Sequence, residues 1–127
     1  MIWLAIAAGS ALGGLARYGL TEAITRAVGG GFPLGTLLVN VLGSAAIGMS
    51  AAAIAHGTPV PWSPVVRHAV VTGVLGGFTT FSAFSMQTVA LVQQGQVGTA
   101  LANVGLSVLA SLGACWAGYA GFAALTR

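Results

Sequence analysis

Charged residues are almost absent from this chain. Of its 127 residues, four are Lys or Arg and one is Asp or Glu, a charged share of 4%. Soluble globular domains carry about 25% charged residues. The composition therefore excludes an ordinary soluble domain, and so few basic residues do not indicate a nucleic-acid-binding patch or a nucleic-acid partner.

The chain also has few of the residues that enzymes and metal clusters use. Cys115 is the single cysteine, so it can form neither an internal disulfide nor a multi-cysteine metal site. Glu22 is the single acidic residue, and it precedes Arg26 by one helical turn, a spacing that favours an ion pair. The sequence offers no nucleophile–base pair, so we do not predict an enzyme.

What the chain has in quantity is apolar sequence. Hydrophobic residues make up 57% of it, in stretches at roughly 2–28, 33–56, 66–93 and 97–125, each reaching the roughly 20 residues that cross a bilayer. We predict an all-α integral membrane protein, a single domain over 1–127 with four transmembrane helices. A cleaved signal peptide is the alternative for the first stretch, but no basic residue precedes Arg17.

The few basic residues are divided evenly between the two predicted sides of the membrane. Arg67 and Arg127 belong to one side, and Arg17 and Arg26 lie toward the other. An excess of Lys and Arg on one side normally sets orientation. Its absence permits insertion in both orientations, and hence an antiparallel dimer, although so small a sample can balance by chance. The proline-containing segment 57–65 is predicted to be a turn outside the membrane.

The third apolar stretch carries a predicted break. Its centre, Gly73–Ser85, reads GVLGGFTTFSAFS, and the glycines and threonines from Gly76 to Thr80 weaken a helix. Irregular backbone at membrane depth is tolerated only where it packs against protein or lines a cavity. Broken helices also place backbone groups at ion sites. The break is therefore interpreted as ion-handling, whereas Phe81 and Phe84, which follow it, are interpreted from residue type alone as core.

Polar residues recur at four-residue spacing in the second and fourth stretches. Thr36, Asn40 and Ser44 form one such stripe, and the other contains Thr99, Asn103, Ser107, Ser111 and Cys115. These faces meet protein or water rather than lipid. Asn40 could link two helices or offer amide donors to an anion. The hydroxyls could pack or line a pore, and Arg17 could snorkel or line a wet vestibule.

Three segments resemble motifs of the Fluc (CrcB) family of small fluoride channels. They are GGLARY at Gly13–Tyr18, PLGTLLVN at Pro33–Asn40 with Gly43 following, and Gly73–Ser85. They occur in the family's order and at its spacing. The resemblance implies a passive channel that exports cytoplasmic fluoride across the bacterial inner membrane. It also implies an antiparallel, dual-topology homodimer in the lipid bilayer, with two pores.

The resemblance further implies roles for individual residues. Asn40 would line a pore, Phe81 and Phe84 would present ring edges to fluoride, and Arg17 would be a vestibule or structural residue. A structural Na⁺ at the dimer centre would be held by backbone carbonyls of Gly76 and Thr79 from both subunits. Further polar pore candidates are Thr36, Ser82, Ser85, Ser107 and Ser111. The chain departs from many members at Gln87, where they have Glu, and at Asn103, where some have an aromatic residue.

Two other functions compete with a channel. A small multidrug-type, proton-coupled exporter can also be a four-helix dual-topology dimer, but it needs an acid at membrane depth, where Glu22 is not well placed. A non-transporting membrane subunit would explain the polar stripes as packing. It gives no reason for a helix to lose hydrogen bonds at its centre.

Overall fold

The structure, a computed structural model, describes residues 1–56 and 62–126, and within these ranges it contains helices and no strand. The predicted all-α class is confirmed. The third apolar stretch is divided into several elements, which together we call the third span, Pro64–Gln93. In chain order the elements are α1 (Ile2–Val28), α2 (Leu34–His56), α3 (Pro64–Arg67), the π-helix π1 (His68–Leu75), α4 (Gly76–Phe78), α5 (Phe81–Gln93) and α6 (Val97–Leu125).

Among the described residues, three helical segments are long and apolar enough to cross a membrane: α2, the third span and α6. Large apolar side chains on α6 stay exposed in the single chain; Leu101 is 67% and Leu109 is 73% exposed. Exposed apolar surface of this extent marks contact with lipid or with another protein. These features are those of a multi-pass membrane protein.

A glycine marks the end of α1, and a proline marks the start of α2. Gly29 terminates α1 with a positive φ of 82°, and its N–H donates to the Thr25 carbonyl at 2.9 Å. Pro33 begins the second apolar stretch of the sequence, but α2 starts one residue later, at Leu34. The Pro33 carbonyl accepts the first turn's hydrogen bond from Leu37 N–H at 3.1 Å. Pro33 therefore occupies the N-cap position.

The predicted 57–65 turn is corrected at its C-terminal end. Pro64 is the first residue of α3, where the missing N–H of proline loses no helical hydrogen bond. Ser63 caps this helix, because its hydroxyl oxygen accepts from Val66 N–H at 3.3 Å. The rest of that turn, at 57–61 with Pro59 and Pro61, lies outside the described residues.

The π-helix π1 was not predicted. Its eight residues follow a wider helical path than an α-helix, with hydrogen bonds to the fifth residue along the chain. α1 packs along π1 and α4. The contact is close, since a Cβ at Gly13 would overlap the Val74 carbonyl oxygen. Packing against α1 therefore fixes the half of the third span that precedes the break.

The second close packing joins α2 to α6. A Cβ at Gly48 would overlap the carbonyl oxygen of Cys115, and a Cβ at Gly118 would overlap that of Ala45. The two backbones are thus in direct contact. Close approach at small residues is the usual way in which membrane helices gain packing energy.

We expect Gly48→Ala to destabilise the protein, because its new methyl group must push α6 away from α2. Overpacking of this kind typically costs about 1–3 kcal/mol. The matched control is Gly113→Ala on α6, where a Cβ would meet nothing within 4 Å in the described chain. Unfolding of both variants by SDS titration in mixed micelles measures the difference. Equal stability of the two variants would contradict the packing.

Candidate functional site

The break in the third span lies at two threonines. Thr79 (φ −80°, ψ 156°) and Thr80 (φ −152°, ψ 112°) are extended, between the end of α4 and the start of α5. Gly76, by contrast, keeps helical dihedral angles of −65° and −36°. Thr80 caps α5, since its hydroxyl oxygen accepts from Ala83 N–H at 3.2 Å. The break therefore uses a threonine N-cap rather than glycine flexibility.

The side-chain amide of Asn40 binds the extended backbone from α2. Its Nδ2 donates to the Thr80 carbonyl oxygen at 3.0 Å, and its Oδ1 accepts from Thr80 N–H at 2.7 Å. Asn40 thus links two helices, one of the two roles that its sequence position allowed. Because an asparagine NH₂ carries two donors, the contact with Thr80 uses only one of them.

These contacts leave two carbonyl oxygens without their helical donors. In an uninterrupted α-helix each carbonyl accepts from the N–H four residues later. The Gly76 carbonyl would accept from Thr80 N–H, but that N–H donates to Asn40 Oδ1 instead. The Thr79 carbonyl would accept from Ala83 N–H, but that N–H donates to the Thr80 hydroxyl oxygen. Backbone carbonyl oxygens line cation filters. The free carbonyl oxygens of Gly76 and Thr79, the two residues that the resemblance implies, therefore suit an alkali cation as ligands.

A groove of about 400 Å³ opens beside the break. Residues from α2, the break, α5 and α6 line it, so the elements joined by Asn40 and Thr80 form its walls. Of the predicted pore residues it brings together the amide, both aromatic rings and two hydroxyls. The lining residues are Asn40, Ser44, Ile47, Thr79, Thr80, Phe81, Phe84, Ser107, Val108, Ser111 and Leu112.

Phe81 and Phe84 form a tilted pair in this groove. Their ring centroids are 5.2 Å apart and their planes meet at 55°. Phe84 is 8% exposed, whereas Phe81 is 76% exposed in the single chain. Aromatic rings carry a positive edge and a negative face. The two rings can therefore offer positive edges to a groove occupant, and Phe81 is open to a partner.

Besides Gly76 of the implied cation site, four predicted site residues do not line the groove. Thr36 is buried on α2 at 4% exposure, and Arg17 lies half-buried on α1. Ser85 donates to the Phe81 carbonyl oxygen at 2.9 Å. The Ser82 hydroxyl is 3.3 Å from that of Thr80. In the single chain the last two serines thus support the first turn of α5 rather than the groove surface.

A buried polar network ties α5 to α6 behind the groove. Asn103, 1% exposed, donates from Nδ2 to the Thr88 hydroxyl at 2.8 Å. Thr88 donates to the Phe84 carbonyl oxygen at 2.8 Å, and Ser107 donates to Asn103 Oδ1 at 3.3 Å. Sequence reasoning missed Thr88, although it stands one helical turn after Phe84. Asn103, in place of an aromatic residue, serves as a helix–helix link.

The other departure, Gln87, borders a separate cavity of about 250 Å³. Its side-chain oxygen is buried and accepts no hydrogen bond from residues 1–56 or 62–126. The predicted ion pair is confirmed: Arg26 contacts Glu22 at 3.1 Å on the exposed end of α1. Neither Gln87 nor Glu22 lines the groove.

Comparison with known proteins agrees with the motifs. Residues 4–119 match the family described as CrcB-like protein, Camphor Resistance (CrcB). Three relatives are named fluoride-specific ion channel FluC. That of Opitutus terrae is 45% identical over 118 residues, covering 93% of this chain and 89% of the relative. That of Rhodospirillum rubrum is 45% identical over 121 residues, covering 95% and 94%. That of Paracoccus denitrificans is 47% identical over 116 residues, covering 91% and 90%. On the motifs, the family match and this coverage, the chain belongs to the CrcB family.

Proposed function

We propose that the chain is a passive, fluoride-selective channel that exports cytoplasmic fluoride across the bacterial inner membrane. The observation that carries the proposal is the groove, where the Asn40 amide, the Phe81 and Phe84 rings and the Ser107 and Ser111 hydroxyls converge. Its support is that the relatives compared above are named as fluoride-specific ion channels.

The groove has the chemistry that a small, strongly hydrated anion needs. Fluoride must exchange several hydrogen bonds with water for donors in the pore, and amide N–H and hydroxyl groups supply them. The aromatic edges add positive potential without a fixed charge. The N-terminus of α5, which begins at Phe81, adds the partial positive charge of a helix start. None of these groups carries a formal charge, which suits an ion that must also leave.

A small multidrug-type, proton-coupled exporter is not supported. Such a mechanism needs an acid at membrane depth. Glu22 is the single acidic residue of the chain, and its side chain is 42% exposed and paired with Arg26. Passive movement of fluoride down its gradient requires no titrating acid. In the cell this would release fluoride that entered as neutral HF and dissociated inside.

The channel is proposed to work as an antiparallel homodimer in which α1 is a fourth crossing and Na⁺ is a structural cofactor. Gly76 is exposed in the single chain, so a second copy can approach it. The freed carbonyls of Gly76 and Thr79 from one chain are too few for an alkali cation, and a two-fold axis would add an equal pair. The exposed ring of Phe81 would meet the partner as well.

The test of the function is anion efflux from liposomes that contain the purified protein. Fluoride-selective and chloride-selective electrodes follow both anions after a gradient is imposed. We expect rapid loss of fluoride with chloride retained, because only the smaller anion can replace its hydration with the groove's donors. Absence of fluoride efflux from correctly assembled protein would refute the channel.

Phe81→Ile is expected to reduce fluoride efflux at least tenfold while leaving assembly unchanged, because the aliphatic side chain fills space but has no positive edge. A tenfold change corresponds to about 1.4 kcal/mol in the barrier. The matched control is Phe122→Ile near the end of α6, outside the groove lining. Equal efflux from both variants in the liposome assay would remove the ring-edge role.

Replacement of Na⁺ by N-methylglucamine during purification should weaken the dimer, since a cation bound only by the assembled state stabilises it by mass action. The dimer fraction is measured by size exclusion with light scattering across a dilution series. Chloride salts of equal ionic strength control for screening. An unchanged dimer fraction in both salts would count against the cation site.

A further inference from the structure

One backbone N–H at the break has two acceptors competing for it. Continuation of the α-helix would give Thr80 N–H to the Gly76 carbonyl. The structure instead gives it to Asn40 Oδ1 at 2.7 Å, and the same amide holds the Thr80 carbonyl at 3.0 Å. The competitor is thus a side chain that reaches Thr80 from a different helix, α2.

Asn40 is held rigidly enough to win this competition. Its neighbour Val39 is fully buried, and α2 is fixed by its contact with α6. One turn further along α2, a Cβ at Gly43 would overlap the methyl group of Thr79. Thr79 is anchored in turn, because its hydroxyl donates to the Leu75 carbonyl oxygen at 3.1 Å. The amide and the break are therefore fixed relative to each other from both sides.

We infer that Asn40 is a positioning residue of the cation site. By taking the Thr80 N–H, it keeps the Gly76 carbonyl free to bind a cation. This inference rests on the proposed function, because the cation site is part of that proposal. The cation site then depends on a side chain that also lines the groove. The cation site and the fluoride-binding groove therefore share Asn40.

Asn40 has two properties that substitutions can test individually, its hydrogen-bond acceptor and its lack of charge. Asn40→Leu has similar volume but no acceptor, so Thr80 N–H can return to the Gly76 carbonyl and occupy it. Asn40→Asp keeps an oxygen at the acceptor position but puts a negative charge in the groove. We expect the leucine variant to lose cation binding. We expect the aspartate variant to keep cation binding and to lose fluoride efflux, because the charge repels an anion.

The measurement is the difference in thermal unfolding midpoint between Na⁺ and N-methylglucamine in detergent, with liposome efflux measured in parallel. A cation that binds only folded dimer raises the midpoint by linkage. Wild type, Asn40→Asp and the control Ser50→Ala should show this Na⁺-dependent rise. Ser50 lies on α2 and donates to the Ala46 carbonyl, away from the break. In Asn40→Leu the rise should disappear.

Each result separates this inference from the broader proposal. If Asn40→Leu lowers both midpoints equally and keeps the full rise, its role is only structural and the inference is wrong, although the cation site stands. If wild type shows no rise, the cation site and the inference fail together, while efflux still decides the channel. Should Asn40→Leu not assemble, Asn40→Ser provides the same comparison, because its shorter side chain cannot reach Thr80 N–H. A full rise in that variant also refutes the inference.

Discussion

Two hydrogen bonds between the Asn40 amide and the Thr80 backbone allow the third span to be interrupted. An unpaired backbone group in hydrocarbon costs several kcal/mol, which ordinarily enforces an unbroken helix. Asn40 satisfies both the N–H and the C=O of Thr80, and the Thr80 hydroxyl then caps α5. The extended backbone at Thr79 and Thr80 is thereby made compatible with membrane depth.

The backbone polarity of the site follows from that interruption. The half of the third span before the break ends in carbonyl oxygens, and the half after it begins with N–H groups. Helix ends carry partial charges of opposite sign, so one break can serve a cation on one side and an anion on the other. In the proposed channel this arrangement would let a chain with a single acidic residue handle ions of both signs, since backbone dipoles would replace formal charges.

Sequence reasoning reached the helices and the break but not the pairings between helices. Hydropathy gives the length of a membrane helix. The helices here are apolar on most faces, however, and so carry little information about which face meets which neighbour. The sequence predicted the break within Gly76–Thr80. Its exact position at the two threonines could not be predicted, because the partner of Thr80 is Asn40, forty residues away. The π-helix π1 was likewise not predictable, because its sequence HAVVTGVL suits an ordinary apolar helix.

At the far wall of the groove, a departure from the family pattern gives a hydrogen-bonded link between α5 and α6. Asn103 is held firmly by Thr88 at 2.8 Å, but its bond from Ser107 is longer, at 3.3 Å, and hence weaker. A serine hydroxyl rotates to suit its partner. Ser107 can therefore turn its hydrogen toward a groove occupant while Asn103 remains fixed by Thr88. A small buried amide in this position secures α6 to α5 by hydrogen bonding and leaves the Ser107 hydroxyl available. An aromatic ring in its place would have to secure the two helices by packing alone.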